Sequence, residues 1–355
     1  MKDTSTISGR TPPHAARFWL ATIAMGALPF AVAGTCPASD VAAWVEILRD
    51  PLLVQHVYPH DARTAEHAPA GGPVSVNADW QAGRRPDWFI EAQRAGGDWI
   101  QAGLLGGHPE AVRKGVAAID WGFARQADDG SFPGTGDPYH SVSLFLEAAA
   151  RAAIIARDVG PAASAVPVAA WRPRIGRSAR WYLSPDVREK GWGGSLVPFG
   201  HRYFLRAEAL ALAGALEDDA DLHAEAARYV KAGLALQRDD GVLPERDGFD
   251  LGYQAVALRS AGRHWFVCPD EPVRRDLATL ISASTDLFLD RIAEDGSLDL
   301  RDSSRHPHER ARSGRAKTVS RGLLVEAFLL GRKVTGDERY GVLAARAARE
   351  PQDRP

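Results

Sequence analysis

Four short segments of the chain carry the residues best suited to chemistry. They are Tyr139-His140-Ser141, His201-Arg202-Tyr203, Asp250-Leu251-Gly252-Tyr253-Gln254 and Arg312-Ser313-Gly314-Arg315-Ala316-Lys317. Each falls where a helical stretch is expected to begin after an irregular loop. Helix amino ends present unpaired N–H groups and the positive end of the macrodipole, so they attract anions. A set of His, Arg, Tyr and Lys gathered at such ends would cradle a carboxylated ligand. The same field favours the phenolate of a tyrosine held there. Arg246, just ahead of the third segment, adds a cation, and Asn77, the only asparagine of the chain, adds a neutral amide from a long upstream loop.

The spacing of these segments follows a repeated phrase. It reads Gln126-Ala127-Asp128-Asp129-Gly130, then Gln237-Arg238-Asp239-Asp240-Gly241, then Glu294-Asp295-Gly296, with the variant Lys190-Gly191-Trp192-Gly193-Gly194 in the gap. A period of roughly 50 to 60 residues marks an array of similar supersecondary units. The aspartates are read as turn formers whose side chains bond nearby backbone N–H groups. Between the phrases the apolar periodicity predicts helices over 40–57, 87–104, 109–126, 140–158, 168–183, 201–216, 221–237, 251–262, 272–293, 318–334 and 337–349. Alternating β-branched runs are scarce, and Ala and Leu dominate the periodic stretches. Residues 59–86, rich in Pro, Gly, His and Ala, read as a long loop.

Helix pairs at this period either stack as an open superhelix or close into an α/α toroid. The loops after the glycine turns (130–140, 191–200 and 294–317) are long, irregular and rich in aromatic and catalytic residue types. A toroid gathers such loops around one mouth, as a binding cleft requires. The expected fold is therefore all-α: an α/α toroid of about six to seven helical hairpins over 87–349. An N-terminal helix and long loop (34–86) precede it, and a frayed tail (350–355) follows.

Residues 1–33 read as a signal peptide. Lys2, Arg10 and Arg17 precede an apolar run from Phe18 to Val32, and Ala31-Val32-Ala33 fits the small-x-small cleavage pattern. That run is short for a membrane span, so a periplasmic or secreted protein, without a membrane anchor after cleavage, is expected. Cys36 and Cys268, the only cysteines, would both remain and could pair in an oxidising compartment. The 355 residues are 45% hydrophobic and 25% charged with a formal net charge of −2, which gives no electrostatic case for a nucleic-acid partner. His306-Pro307-His308-Glu309 has two imidazoles one residue apart but no third ligand in the sequence nearby, so no metal is expected.

The phrase Gln126 to Gly130 continued by Ser131-Phe132-Pro133-Gly134, and followed by a His-bearing helix, resembles the α/α-toroid carbohydrate enzymes. Gly248-Phe249-Asp250-Leu251-Gly252-Tyr253-Gln254 and the His/Arg set resemble the polysaccharide lyases of glucuronan and alginate type. The resemblance covers residues 85 to 335. It implies β-elimination on a uronic-acid polymer, without a cofactor, and so an acidic polysaccharide or oligosaccharide as the partner.

Such a reaction needs the C6 carboxylate neutralised, the C5 proton removed and the leaving glycosidic oxygen protonated. Arg202 with His140 or His201 suits the first task. Tyr253 suits the second and third when proton and leaving group are syn. Its ordinary pKa is about 10, so cationic neighbours such as Arg246 or His201 are expected. Lyases of this type often use Asn or Gln as the neutraliser, a place Asn77 could fill. Trp192, between glycines, is the candidate for stacking on a sugar ring, with Tyr139, Arg312 and Lys317 also placed against substrate.

Two other readings stay open. A toroid hydrolase would use Asp250 as acid with Asp129 or Asp240 as base. A non-catalytic envelope protein would bind polysaccharide without turnover. In either the same residues have bland roles: Tyr253 and the histidines as packing or capping groups, and the charged run from Arg301 to Lys317 as a solvated loop.

Overall fold

A computed structural model of the chain describes residues 40–68, 74, 89–194, 199–246, 248–306, 308–310 and 316–349, with the backbone alone for 191–194. The expected signal peptide, the tail 350–355, Asn77, Arg312 and Cys36 lie outside the described residues. Among those described there are fifteen α-helices and isolated β-bridges but no strand, so the all-α expectation holds. No helix among them is long and apolar enough to cross a membrane.

The helices are α1 (Val41–Leu48), α2 (Pro51–His56), α3 (Tyr58–Glu66), α4 (Phe89–Ala92), α5 (Ala95–Gly106), α6 (Pro109–Phe123), α7 (Pro138–Val159), α8 (Val168–Leu183), α9 (Pro185–Gly194), α10 (Gly200–Glu217), α11 (Ala220–Leu234), α12 (Leu251–Val267), α13 (Glu271–Asp286), α14 (Arg321–Thr335) and α15 (Glu338–Ala348). Several differ from the expected spans for local reasons. The first expected helix breaks before Pro51, whose ring disfavours helical backbone at Asp50. The Asp50 carboxylate instead caps α2 by accepting from Leu52 N at 2.9 Å. Part of the expected loop 59–86 is α3: Pro59 lies in its first turn, where no N–H is missed, and Ala62 and Ala65 are buried. Lys190 to Gly194 belongs to the end of α9 rather than to a fourth copy of the turn.

Five antiparallel pairs follow in order: α5–α6, α7–α8, α10–α11, α12–α13 and α14–α15, each first member packing on the first member of the next. Their sequences explain the two layers. In α7 every residue from Ser141 to Ala156 is buried, and α10 is buried almost throughout. Both are rich in Ala, which lets neighbouring helices approach on all sides. The second members bury one face only, as amphipathic helices do. At the other end of the series, α2 packs on α5 and α14, and α3 on α5 and α6.

The repeated phrase is a single device used three times. Ala127, Arg238 and Ala293 each donate a backbone N–H four residues ahead, to Ser131 O, Val242 O and Ser297 O, across turns of 2.9–3.0 Å. The aspartate before glycine accepts the N–H two residues on: Asp129 from Ser131, Asp240 from Val242, Asp295 from Ser297. Gly241 has φ 82°, and a Cβ there would lie 2.6 Å from Ala283 O on α13. Gly130 and Gly296 take the same backbone conformation against α8 and α15. The turn thus presses each outer helix end onto the next pair, and its aspartates are structural, as expected.

The centre of the inner layer is charged. The Arg263 guanidinium, 1% exposed, donates to both oxygens of Glu326 (2.6 and 2.7 Å), to Glu147 (2.8 Å) and to Glu208 (3.2 Å). Arg151 extends the network to Glu147, Gln101 and Asp98 at 2.5, 2.7 and 2.8 Å. Helices α5, α7, α10, α12 and α14 are therefore tied through two arginines.

Burial opposes ionisation of these carboxyls. For Glu147 the charges of Arg151 and Arg263 more than offset it, and its pKa falls to about 2. Glu208, beside the ionised Glu147, is pushed up to about 7.

Removing Arg263 leaves the buried carboxyls of Glu208 and Glu326 without their cation and Glu147 with Arg151 alone, a change that typically costs about 3–5 kcal/mol. Arg263→Met is expected to lose that much in urea unfolding, whereas Arg301→Met, on an exposed arginine, leaves the transition essentially unmoved; equal effects would contradict the network's role. Glu208 works with the opposite sign from Glu147. Its folded pKa near 7 lies above an unfolded value of about 4.3, so its contribution is full at low pH and is lost as pH rises through 7. Glu208→Gln is expected to match the wild type below about pH 4 and to exceed it by about 2–4 kcal/mol at pH 8, read from paired denaturation curves.

Candidate functional site

The amino ends of α7, α10 and α12 are built differently and meet through their loops. Asp137 caps α7, accepting from His140 N at 3.2 Å, and Asp250 caps α12, accepting from Tyr253 N at 3.0 Å. No side chain caps α10. There Gly200 N donates to Pro244 O at 2.9 Å and Phe199 bridges to Glu245, which sets His201 beside that carboxylate. The loop before α14 is tied to α12 by Asp250, whose Oδ2 accepts from the backbone N–H groups of Arg305 and His306 at 2.9 and 2.7 Å.

Tyr253 is the focus. Its ring stacks on His201 with centroids 4.3 Å apart, meets His306 edge-on at 5.3 Å, and lies under the Arg305 guanidinium at 4.1 Å. Its Oη accepts a hydrogen bond from Lys317 Nζ at 2.9 Å. Both cations are held from behind by Glu309, which accepts from Lys317 Nζ at 2.5 Å and Arg305 Nε at 3.1 Å. Arg305 also donates through Nη1 to Glu245, leaving Nη2 without a hydrogen-bond partner among the described residues. Glu309 is itself kept ionised: burial would raise its pKa, but the hydrogen bonds from Arg305 and Lys317 bring it down to about 2.

His140 and His201 are neutral. Burial lowers the His201 pKa, and the hydrogen bond to Glu245 offsets only part of that. His201 Nδ1 lies 2.6 Å from Glu245 Oε2. A carboxylate there accepts, so Nδ1 carries the proton and Nε2 keeps its lone pair. His140 is lowered further, by burial first and by the charge of Arg202 after it. His306 Nδ1 faces Asp250 Oδ1 at 2.8 Å and donates to it. Asp250 is held below the ordinary carboxyl range: burial raises its pKa, but the His306 side chain and the N–H groups of His306 and Tyr253 outweigh it.

Of the sequence candidates, Tyr253, His201 and Lys317 are brought into contact. Arg202 is one residue from His201, ion-paired with Asp137 at 3.3 Å and stacked over Phe199. His140 completes this side. Arg246, at φ 55°, reaches Glu309 at 3.1 Å from the rim rather than Tyr253, so it is not the cation beside the phenol. Nor is His201, because it is neutral; Arg305 and Lys317 take that place. Lys317 comes from the loop ahead of α14, which begins only at Arg321, and not from a helix end. Tyr139 stacks on Trp181, centroids 5.8 Å apart, and its carbonyl accepts from Tyr182 Oη and Arg206 Nε. The Trp192 side chain, Asn77 and Arg312 lie outside the described residues.

Arg305, His306, Glu245 and Glu309 were not singled out as site residues. In the sequence Arg305 stood only in the charged run from Arg301 to Lys317, and His306 and Glu309 stood there and in the stretch weighed for a metal. Asp250, the acid of the hydrolase reading, is buried and accepts from four N–H groups, so it has no proton to give. Among the described residues no group of three or more His, Cys, Asp or Glu stands in position to hold a metal. Comparison with known proteins returns no match to a family model, a curated protein or a solved structure.

The imidazole states are directly measurable. In nitrogen-detected NMR, His140 and His201 are expected to stay neutral at pH 6.5, with midpoints below the ordinary value of about 6.5 and His201 protonated on Nδ1. A midpoint above that value for either one contradicts the assignment.

Proposed function

We propose that the chain is a polysaccharide lyase acting on a uronic-acid polymer of the glucuronan or alginate type, with Tyr253 as the proton-transfer group. The observation that carries this reading is the Lys317 Nζ bond to Tyr253 Oη beneath the Arg305 guanidinium. A phenolate formed at Oη is met by two cations. It can take the C5 proton and, on the same face, return it to the departing glycosidic oxygen. Arg305 Nη2, the third N–H of Lys317 and the nearby Arg202 supply donors for the C6 carboxylate as it gains enolate charge. His201 Nε2 offers a lone pair beside the ring for a substrate hydroxyl. The reaction needs no resident cofactor on this route.

The five sequential helix pairs support an α/α toroid as the architecture, with the amino ends of the inner helices around its mouth. A signal peptide over 1–33 would send the protein to the periplasm or outside the cell. The hydrolase alternative is weakened because Asp250 is saturated and Asp129 and Asp240 are engaged in turns.

Incubation with polyglucuronate or alginate is expected to generate the ultraviolet absorbance of an unsaturated uronate. Tyr253→Phe should lower kcat by about 10²–10⁴-fold with KM little changed, and Lys317→Met by about 10²–10³-fold. New reducing ends without absorbance would mean hydrolysis. Binding without turnover by the wild type would mean a binding protein. Full activity in Tyr253→Phe would remove Tyr253 from the mechanism.

A further inference from the structure

A polar cavity of about 500 Å³ lies among α2, α3, α5, α12 and the start of α14. Its wall includes Asp61, Asp98, Arg259 and Glu326, and it also takes in Thr318 to Leu323, which directly follow Lys317. Arg259 is six residues beyond Tyr253 on α12, about 9 Å along the helix axis. The cavity is of the size that small ligands occupy, and it uses none of the groups assigned above to proton transfer.

Two of its side chains are chemically incomplete. The Arg259 guanidinium makes no hydrogen bond or ion pair with any described residue, and its Nε is sealed from solvent. The Asp61 carboxyl likewise has no side-chain partner among the described residues. The two feel each other's charge without pairing. Neighbours do not supply what is missing. Glu326 is held by Arg263 through both oxygens, and Asp98 gives Oδ1 to Arg151. The sealed Nε is a donor without an acceptor, a costly state where water is excluded, and a planar carboxylate is the group that matches a guanidinium fork. Burial, and then the charge of Asp98, push Asp61 up to about 7. Near neutral pH it is therefore partly protonated, able to face an anionic ligand as donor or a hydroxyl as acceptor.

We propose that this cavity binds one uronic-acid unit, its carboxylate on Arg259 and its hydroxyls on Asp61 and Asp98. The identity of the sugar acid rests on the lyase reading; the need for a carboxylate beside a hydroxyl-binding acid does not.

Isothermal titration of the wild type with D-glucuronate, D-mannuronate and D-glucose tests it. At least one uronate is expected to bind ten-fold or more tightly than glucose, and Arg259→Gln is expected to weaken that uronate ten-fold or more. If Arg259→Gln is unfolded by circular dichroism, Asp61→Asn decides, with a several-fold loss expected. Binding of neither uronate, equal binding of glucose, or unchanged affinity in the folded variants overturns the proposal. Turnover on polymer is measured in the same preparations. Uronate binding that depends on Arg259, without any turnover, removes the lyase reading and leaves the cavity site. Turnover without uronate binding does the reverse.

Discussion

Everything in the inner layer is arranged around one buried guanidinium. Arg263 reaches Glu147 on α7, Glu208 on α10 and Glu326 on α14, and Arg151 carries the tie on to Asp98 and Gln101 on α5. An ion network in an apolar interior tolerates little displacement, because each carboxyl that loses its cation keeps the full cost of desolvation. The consequence is positional. The helices whose amino ends carry His140, His201 and Tyr253 are pinned near their middles, so their ends have few ways to drift apart.

The site uses the same logic nearer the surface. Glu309 and Glu245 hold Arg305 and Lys317 over the ring and hydroxyl of Tyr253. Asp250 performs three positioning tasks at once: it caps α12, tethers the Arg305–His306 backbone and orients the His306 ring. Each cation at the site is matched by a carboxylate. An acidic ligand therefore meets donors of fixed direction rather than a broad positive field, a distinction that favours selectivity over capture.

The helical class, the glycine turns and the helix ends bearing His140, His201 and Tyr253 were legible in the sequence because they rest on local chemistry. Gly241 needs a left-handed backbone, and Asp240 satisfies the N–H two residues on; both facts are contained within the turn itself. The same local reasoning failed where packing outweighed it. Gly262 reads as a helix end, but it is a point of close approach, where a Cβ would meet Leu330 Cβ at 2.9 Å. The helix continues past it to Val267, and Arg263 is the next residue. Placing the helix end at Gly262 hid the central cation. Arg305 and Glu309 were obscured for a different reason: a run of charges in a loop has no period, and a solvated loop has the same composition.

The sequence by itself determined that this chain is helical, where its repeated turns fall, and which helix amino ends present polar groups, since each depends on residues a few positions apart. The tertiary structure decided which charges are neutral, paired or exposed. Only folding brings Lys317 to Tyr253 across 64 residues and Glu147 to Arg263 across 116. Over such separations proximity is set by packing, and the ionisation of a group is set by what packing places beside it.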